Sequence, residues 1–322
     1  LQTYELDDPL LLTMVAALVE EFPYVDAYLA SDADILFVAS ESPLPAMNVS
    51  GIAHPELAAE LRRVGIAGAG DLDVRRVASQ DVLRTLVYLY GAEPYSDYLP
   101  VVALEAPRAR FSRRGAESMV WLTRAGMPIV EMTDGRRPAA ISDGVSLVPD
   151  SSAVEFHWNA RNIRAVLLSG RAPSAEQVSE PLSQALGVLI RPDDKVMADD
   201  ELDAWLEAIA VVADNSISHL PAGDHEGVWI NPAWTGNQLP VSARKVLAAY
   251  EATARRDAAA MYEAGLEALA ALGPERPAMV REHMLVIAEL GAIASGKPEE
   301  VLPMERSVGR DDELTQLYGY SR

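Results

Sequence analysis

The sequence predicts an α/β segment followed by a mainly α-helical region, and three observations predict it. Within Leu1–Ser40 an apolar pattern of helical period gives way, after Pro23, to two short runs rich in β-branched and aromatic residues. From Gly115 onward such runs thin out and apolar residues recur every three or four positions. Around residues 244–295 two Ala-rich helical segments follow one another with small residues where they would cross.

Leu1–Leu6 reads as the end of an extended strand. Asp7 or Asp8 can cap a helix there, and Pro9 suits its first turn, where a missing N–H costs nothing. Leu10, Met14, Leu18 and Phe22 form a stripe four residues apart, with Leu11, Val15 and Val19 beside it and Glu20 and Glu21 at the wet end. Burying six of its large apolar side chains would contribute ~10 kcal/mol before entropy is subtracted. Val25–Leu29 and Ile35–Ala39 are strands joined by the polar turn Ser31-Asp32-Ala33-Asp34. A three-strand piece cannot supply the surface that covers this helix, so a larger sheet is implied.

Pro43-Leu44-Pro45 closes this stretch. Pro55–Val64 is a short amphipathic helix with Ala58, Leu61 and Val64 on one side. Ile66–Asp73 is a glycine-rich turn, Ser79–Tyr90 a helix with Val82, Leu86 and Leu89 inward, and Leu99–Leu104 a short apolar strand. Ser118–Ala125 and Val154–Ser169 are candidate helices flanking a weaker segment, Pro128–Pro149, and Gly170–Pro181 is a Pro- and Ser-rich linker. Asp199-Asp200-Glu201 caps a helix to about Asn215 whose Leu202, Trp205, Leu206, Ile209 and Val212 share a face. His219–Pro240 is a long loop. Ser242 caps the next helix, with Val246, Ala249, Tyr250 and Thr253 inward, and Pro277–Ser295 forms a further long one. Helical hairpins of this kind are repeat-like, of the tetratricopeptide sort.

Charge limits the partners. With 27 Lys and Arg against 48 Asp and Glu the net charge is -21, which disfavours nucleic-acid and membrane-surface contact and suits cationic ligands such as polyamines. Plain solubility explains the same balance. The chain has no cysteine, so thiol chemistry, thiolate metal sites and disulfides are excluded. No apolar run approaches the ~20 residues needed to cross a bilayer, and a cytoplasmic location is expected.

Chemistry-bearing motifs are few. Gly68-Ala69-Gly70 lacks a preceding strand and a third glycine at dinucleotide spacing, so it reads as a turn between helices. The histidines at 54, 157, 219, 225 and 283 are scattered; His219 and His225, with Asp224 and Glu226, read as a solvated polar loop rather than a metal site. Trp229, Asn231, Trp234 and Asn237 share that loop. They either stack on a planar or sugar-like ligand or plug the end of a helical bundle, the indole N–H finding a carbonyl.

Two stretches carry a resemblance. L-Q-T-Y-E-L-D-D-P-L-L-L, F-P-Y-V-D-A-Y-L and D-I-L-F-V-A-S within residues 1–40 resemble the end of the catalytic domain of the spermidine synthase-like (polyamine aminopropyltransferase) family. Tyr95-Ser96-Asp97-Tyr98-Leu99-Pro100-Val101 with Ala106-Pro107-Arg108-Ala109-Arg110-Phe111 resembles a segment of its long bacterial, membrane-fused members. The resemblance implies that a glutamine-bearing strand, a helix and an antiparallel hairpin close a Rossmann-like sheet of the S-adenosylmethionine-dependent methyltransferase type. It implies a transferase of polyamine biosynthesis, with decarboxylated S-adenosylmethionine as co-substrate and a polyamine as acceptor. The family's glycine-rich loop and catalytic aspartate have no counterpart in these residues. The chain therefore reads as a C-terminal portion that holds no cofactor and is not competent alone, cytoplasmic in itself or the cytoplasmic part of a membrane-anchored parent.

On that resemblance, Gln2 matches the strand-end glutamine and Tyr28 lies near the tyrosine that covers the amine. The proline and tryptophan expected after Tyr28 are replaced by Leu29-Ala30-Ser31-Asp32. Asp32 and Asp34 are the candidate ammonium partners, Asp32 being the one assigned to the site, and an ordinary hairpin turn is the competing role. No catalytic or metal-binding residue is assigned. The expected domains are 1–112, closing part of the synthase-like domain with a helical excursion; 113–180, helical connector and linker; and 181–322, a helical repeat-like domain. The alternative is a non-catalytic helical module that binds a protein partner and carries a vestigial synthase-like part.

Overall fold

A computed structural model describes residues 1–31, 33–44, 49–52, 54–96, 98, 100–112, 115–116, 126–134, 152–171, 173, 178–190, 197–231 and 239–307. They form two compact units, the first within Leu1–Ala125 and the second from Gly126–Met132 and the chain beyond Phe156. The expected helix Ser118–Ala125 lies outside the described residues. The described residues are mostly helical, with one small antiparallel sheet among them.

In the first unit, α1 (Asp8–Glu21) starts where the Asp7 carboxylate accepts from the Leu10 N–H at 3.2 Å, with Pro9 in the opening turn. Leu10, Leu11, Leu12, Val15, Ala16 and Val19 are buried. The buried stripe is wider than a single four-residue row because two helices cover α1: α4 (Gln80–Tyr90) and α5 (Val101–Ser112). β1 (Tyr24–Ser31) and β2 (Asp34–Ser40) pair as an antiparallel hairpin, Tyr28 opposite Leu36 and Asp26 opposite Val38. β3 (Arg76–Ala78) pairs with the other side of β1, giving the order β2-β1-β3. Three residues are too few to display alternation, which is why β3 does not stand out in the sequence. Two further helices, α2 (Pro55–Arg63) and the single turn α3 (Ala69–Asp73), precede it. Val64, expected inward, is 48% exposed.

Two expectations for this unit are corrected. Leu1–Leu6 is extended only at its start: Leu1–Thr3 pairs with β2 through the Gln2–Asp34 bridge, and Thr3–Glu5 then turns into a 3-10 helix. The expected strand Leu99–Leu104 is helical from Val101, where α5 begins, and the Leu104 N–H bonds the Pro100 carbonyl at 3.2 Å; Leu99 lies outside the described residues. The run Ala103-Leu104-Glu105-Ala106 consists of strong helix formers and outweighs the β-branched pair Val101-Val102. Pro107 is accommodated inside the helix at the loss of one backbone bond.

The second unit takes in most of α6 (Ile129–Asp134) and of α7 (Ser152–Ser169), then α8 (Glu180–Leu189), before α9 (Asp199–Asp214). α9 opens where Glu201 reaches back to the Ala198 N–H at 3.1 Å. Its Leu202, Trp205, Leu206, Ile209 and Val212 are all buried, the face that the spacing predicts. α10 (Val241–Arg255), α11 (Ala258–Leu272) and α12 (Ala278–Ala294) pack successively, and α13 (Val301–Ser307) closes on α12. Val246, Ala249, Tyr250 and Thr253 of α10 are inward as expected. α10 begins one residue before Ser242, however, and Pro240 rather than that serine stands at its cap.

Glycines set the close crossing of α11 and α12. A Cβ on Gly291 would lie 2.5 Å from the Tyr262 nitrogen and 2.7 Å from the Ala258 oxygen. One on Gly265 would lie 2.9 Å from backbone and Cβ atoms of Ala288. α11 and α12 therefore meet backbone to backbone, which larger side chains forbid.

Candidate functional site

The sequence points first to Gln2, Tyr28 and Asp32. Leu1 and Ile35 exchange two backbone bonds of 2.8 Å and the Thr3 N–H bonds the Ala33 carbonyl, so Leu1–Thr3 lies antiparallel along the outer edge of β2. Gln2 sits on that edge, exposed. By register, Gln2, Asp34, Leu36, Tyr28 and Asp26 share one face of the sheet. Asp32 lies outside the described residues; beside it the Ser31 hydroxyl donates to Asp34 at 3.0 Å.

Tyr28 does not stand alone on this face. Its hydroxyl donates to Asp26 Oδ2 at 3.4 Å, and Asp26 Oδ1 accepts from Arg76 Nη2 at 2.6 Å, both side chains about one-tenth exposed. The carboxylate that Tyr28 touches is thus already paired with a guanidinium. An ammonium group arriving at Tyr28 would compete with Arg76 for it. Arg75 closes the end of β1 by donating to the carbonyls of Ala30 at 3.0 Å and Val64 at 2.8 Å, and burial, opposed by Asp71, lowers its pKa.

The glycine pair holds no anion cradle open. Asp71 Oδ2 accepts from the Ala67 and Gly68 N–H groups, each at 2.8 Å, so the chain's own carboxylate occupies the position a phosphate would take.

The densest polar constellation lies in the second unit, where sequence reasoning expects a solvated loop. That expectation is corrected: His219 and His225 are buried. The segment after α9 turns inward through a 3-10 turn, Ala222–His225, packed on α10. His225 and Trp229, four apart, point the same way and are joined by the indole Nε1–H donating to His225 Nδ1 at 3.3 Å. Trp229 is wholly buried and plugs the bundle, with a ring nitrogen rather than a carbonyl as its acceptor. Its ring lies 5.5 Å from that of Tyr250. The Tyr250 hydroxyl meets His283 Nδ1 at 2.8 Å, and His283 Nε2 meets Asp214 Oδ1 at 3.1 Å. The carboxylate fixes the proton on Nε2 of His283, leaving Nδ1 to accept from the phenol. Burial, with Asp214 adding to it, raises the Tyr250 pKa. A histidine between a hydroxyl and a carboxylate has the form of a catalytic relay, but Tyr250 is fully buried. The three side chains tie α9, α10 and α12 together through Asp214, Tyr250 and His283.

Arg256 anchors this constellation. It follows α10 at φ 58, a left-handed conformation that a non-glycine residue adopts only with compensation. Its side chain supplies that compensation. Nε donates to Glu131 at 2.7 Å, Nη1 to the carbonyls of Thr253 and Ala254, and Nη2 to those of Ile217 and Leu220, both at 2.9 Å. His219 stacks on Phe156 at 5.0 Å, and burial, then the neighbouring His157, pushes its pKa down to about 4. Asn231 donates to the carbonyls of Leu167 and Leu168, while Trp234 and Asn237 lie outside the described residues.

Only the i, i+4 spacing of His225 and Trp229 hinted at this cluster in the sequence. Among the described residues no three His, Asp or Glu side chains are grouped to hold a metal ion, and no helix is long and apolar enough to cross a membrane. Comparison with protein families, curated proteins and solved structures yields no match to this chain.

Proposed function

We propose that residues 1–40 are the closing helix and hairpin of a spermidine synthase-like domain, and that the complete protein transfers an aminopropyl group from decarboxylated S-adenosylmethionine to a polyamine. One observation carries the reading. Leu1–Thr3, which carries Gln2, lies antiparallel along the outer edge of β2, so a glutamine-bearing extended segment, α1 and the β1–β2 hairpin follow one another in the order the resemblance implies. A sheet continuing on that side would place the nucleotide-holding strands next to the hairpin. In this reading Gln2 and Tyr28 face the amine and Asp32 attracts its charge, while the glycine-rich loop and base lie outside these 322 residues. Positioning of both reactants and deprotonation of the attacking amine would supply the rate.

A second reading has its own observation. The Arg76–Asp26 pair occupies the acid beside Tyr28, which favours a vestigial synthase-like part and a helical, tetratricopeptide-like module that binds a protein partner. Assay of this chain, beside a protein extended on the N-terminal side of Leu1, separates the two. With decarboxylated S-adenosylmethionine and putrescine, the extended protein should yield the aminopropylated amine and this chain none. Turnover by this chain overturns the first reading, and silence of both favours the module.

A further inference from the structure

The helical unit fixes which nitrogen of His225 carries its proton. Nε2 lies 3.1 Å from the Ile217 carbonyl oxygen and donates to it; Nδ1 accepts, because the indole N–H of Trp229 can only donate. A second proton has only Nδ1 to bind, where it meets that N–H head-on. The surroundings oppose it as well. Arg256 beyond α10 and Arg164 on α7 bring positive charge to the ring, against the carbonyls of Ile217 and Leu220. Behind Trp229 stand Tyr250, His283 and Asp214, already bonded to one another.

We propose that His225 is an acid-operated latch: a proton taken up at Nδ1 breaks its bond to Trp229 and releases the Ala222–Asn231 segment from the helices it covers. The segment is suited to local release. Gly227 stands at φ 71 between the two latch residues, and beyond Trp229 the Asn231 amide makes two long bonds of 3.3 Å to the end of α7. Burial first, then Arg256, depresses the closed-state pKa from 6.5 to about 3. The released ring titrates at its ordinary value, so opening takes up a proton. The closed form is fully favoured above pH 6.5 and loses up to about tenfold per pH unit below it, until about pH 3.

The test is the indole N–H resonance of Trp229 in the whole chain, labelled with nitrogen-15 at tryptophan and assigned by its loss in Trp229→Phe. Between pH 7 and pH 4 it should leave its buried position while the far-ultraviolet circular dichroism stays helical. His225→Asn, which keeps an acceptor that cannot titrate, should lower the midpoint by a pH unit or more; His219→Asn should leave it in place. An indole signal unchanged down to pH 4, or a midpoint that follows His219 instead, overturns the latch. Should His225→Asn not fold, the ring titration of His225 in the unaltered protein decides. A value at or above 6.5 in the closed form overturns the proposal, and a ring neutral until the indole moves supports it.

Discussion

Both units bury an arginine–carboxylate pair, and the surroundings of the two pairs differ. In the first unit Arg76 and Asp26 lie on a sheet face that also carries Leu36 and Val38, 56% and 38% exposed. In the second, Arg256 and Glu131 are less than one-tenth exposed, and the same guanidinium holds four backbone carbonyls. The contrast follows from the secondary structure. Helices satisfy their own backbone groups, so a helical unit can enclose its polar residues completely. A three-stranded sheet leaves an edge whose hydrogen bonds must come from elsewhere.

Arg256→Leu should break the comparison hardest. It strands the Glu131 carboxylate in the interior and removes donors from Ile217, Leu220, Thr253 and Ala254, an expected loss of ~3–5 kcal/mol in urea unfolding. Arg76→Leu should cost less, ~1–3 kcal/mol, because Asp26 on the outer sheet face can turn to water. Equal losses would mean that both pairs are enclosed alike. Gly291→Ala comes next, at ~1–3 kcal/mol, since its methyl would press on the α11 backbone near Ala258 and Tyr262. An unchanged unfolding midpoint would show that α11 and α12 are free to separate.

What the sequence reveals follows the same division. The buried face of α9 is legible because Leu202, Trp205, Leu206, Ile209 and Val212 keep one period, and Asp7 and Pro9 mark the start of α1. Val101-Val102 misleads because β-branching is local while the helix-forming residues after it decide the outcome. The role of Arg256 cannot be read at all, since its carboxylate partner lies 125 positions away. His225 and Trp229 fall in a stretch without periodicity, so their inward turn shows only once α10 is in place beneath them. The candidate amine site divides likewise: the hairpin that carries Tyr28 is legible, whereas the pairing of Asp26 with Arg76 needs a strand fifty residues on.

Amide hydrogen exchange along β2 tests the contrast most directly, that the edge of β2 beyond Ile35 is open in this chain while the backbone of α10 is bonded within its own helix. In an antiparallel ladder, alternate N–H groups of β2 point away from β1. The Ile35 N–H, bonded to Leu1, should exchange slowly, as should the inward-facing N–H groups of Leu36 and Val38. The N–H groups of Phe37 and Ala39 should exchange quickly, and those along Val246–Thr253 in α10 slowly. Protection of Phe37 and Ala39 equal to that of Leu36 and Val38 would contradict the open edge beyond Ile35 and the contrast between the two units.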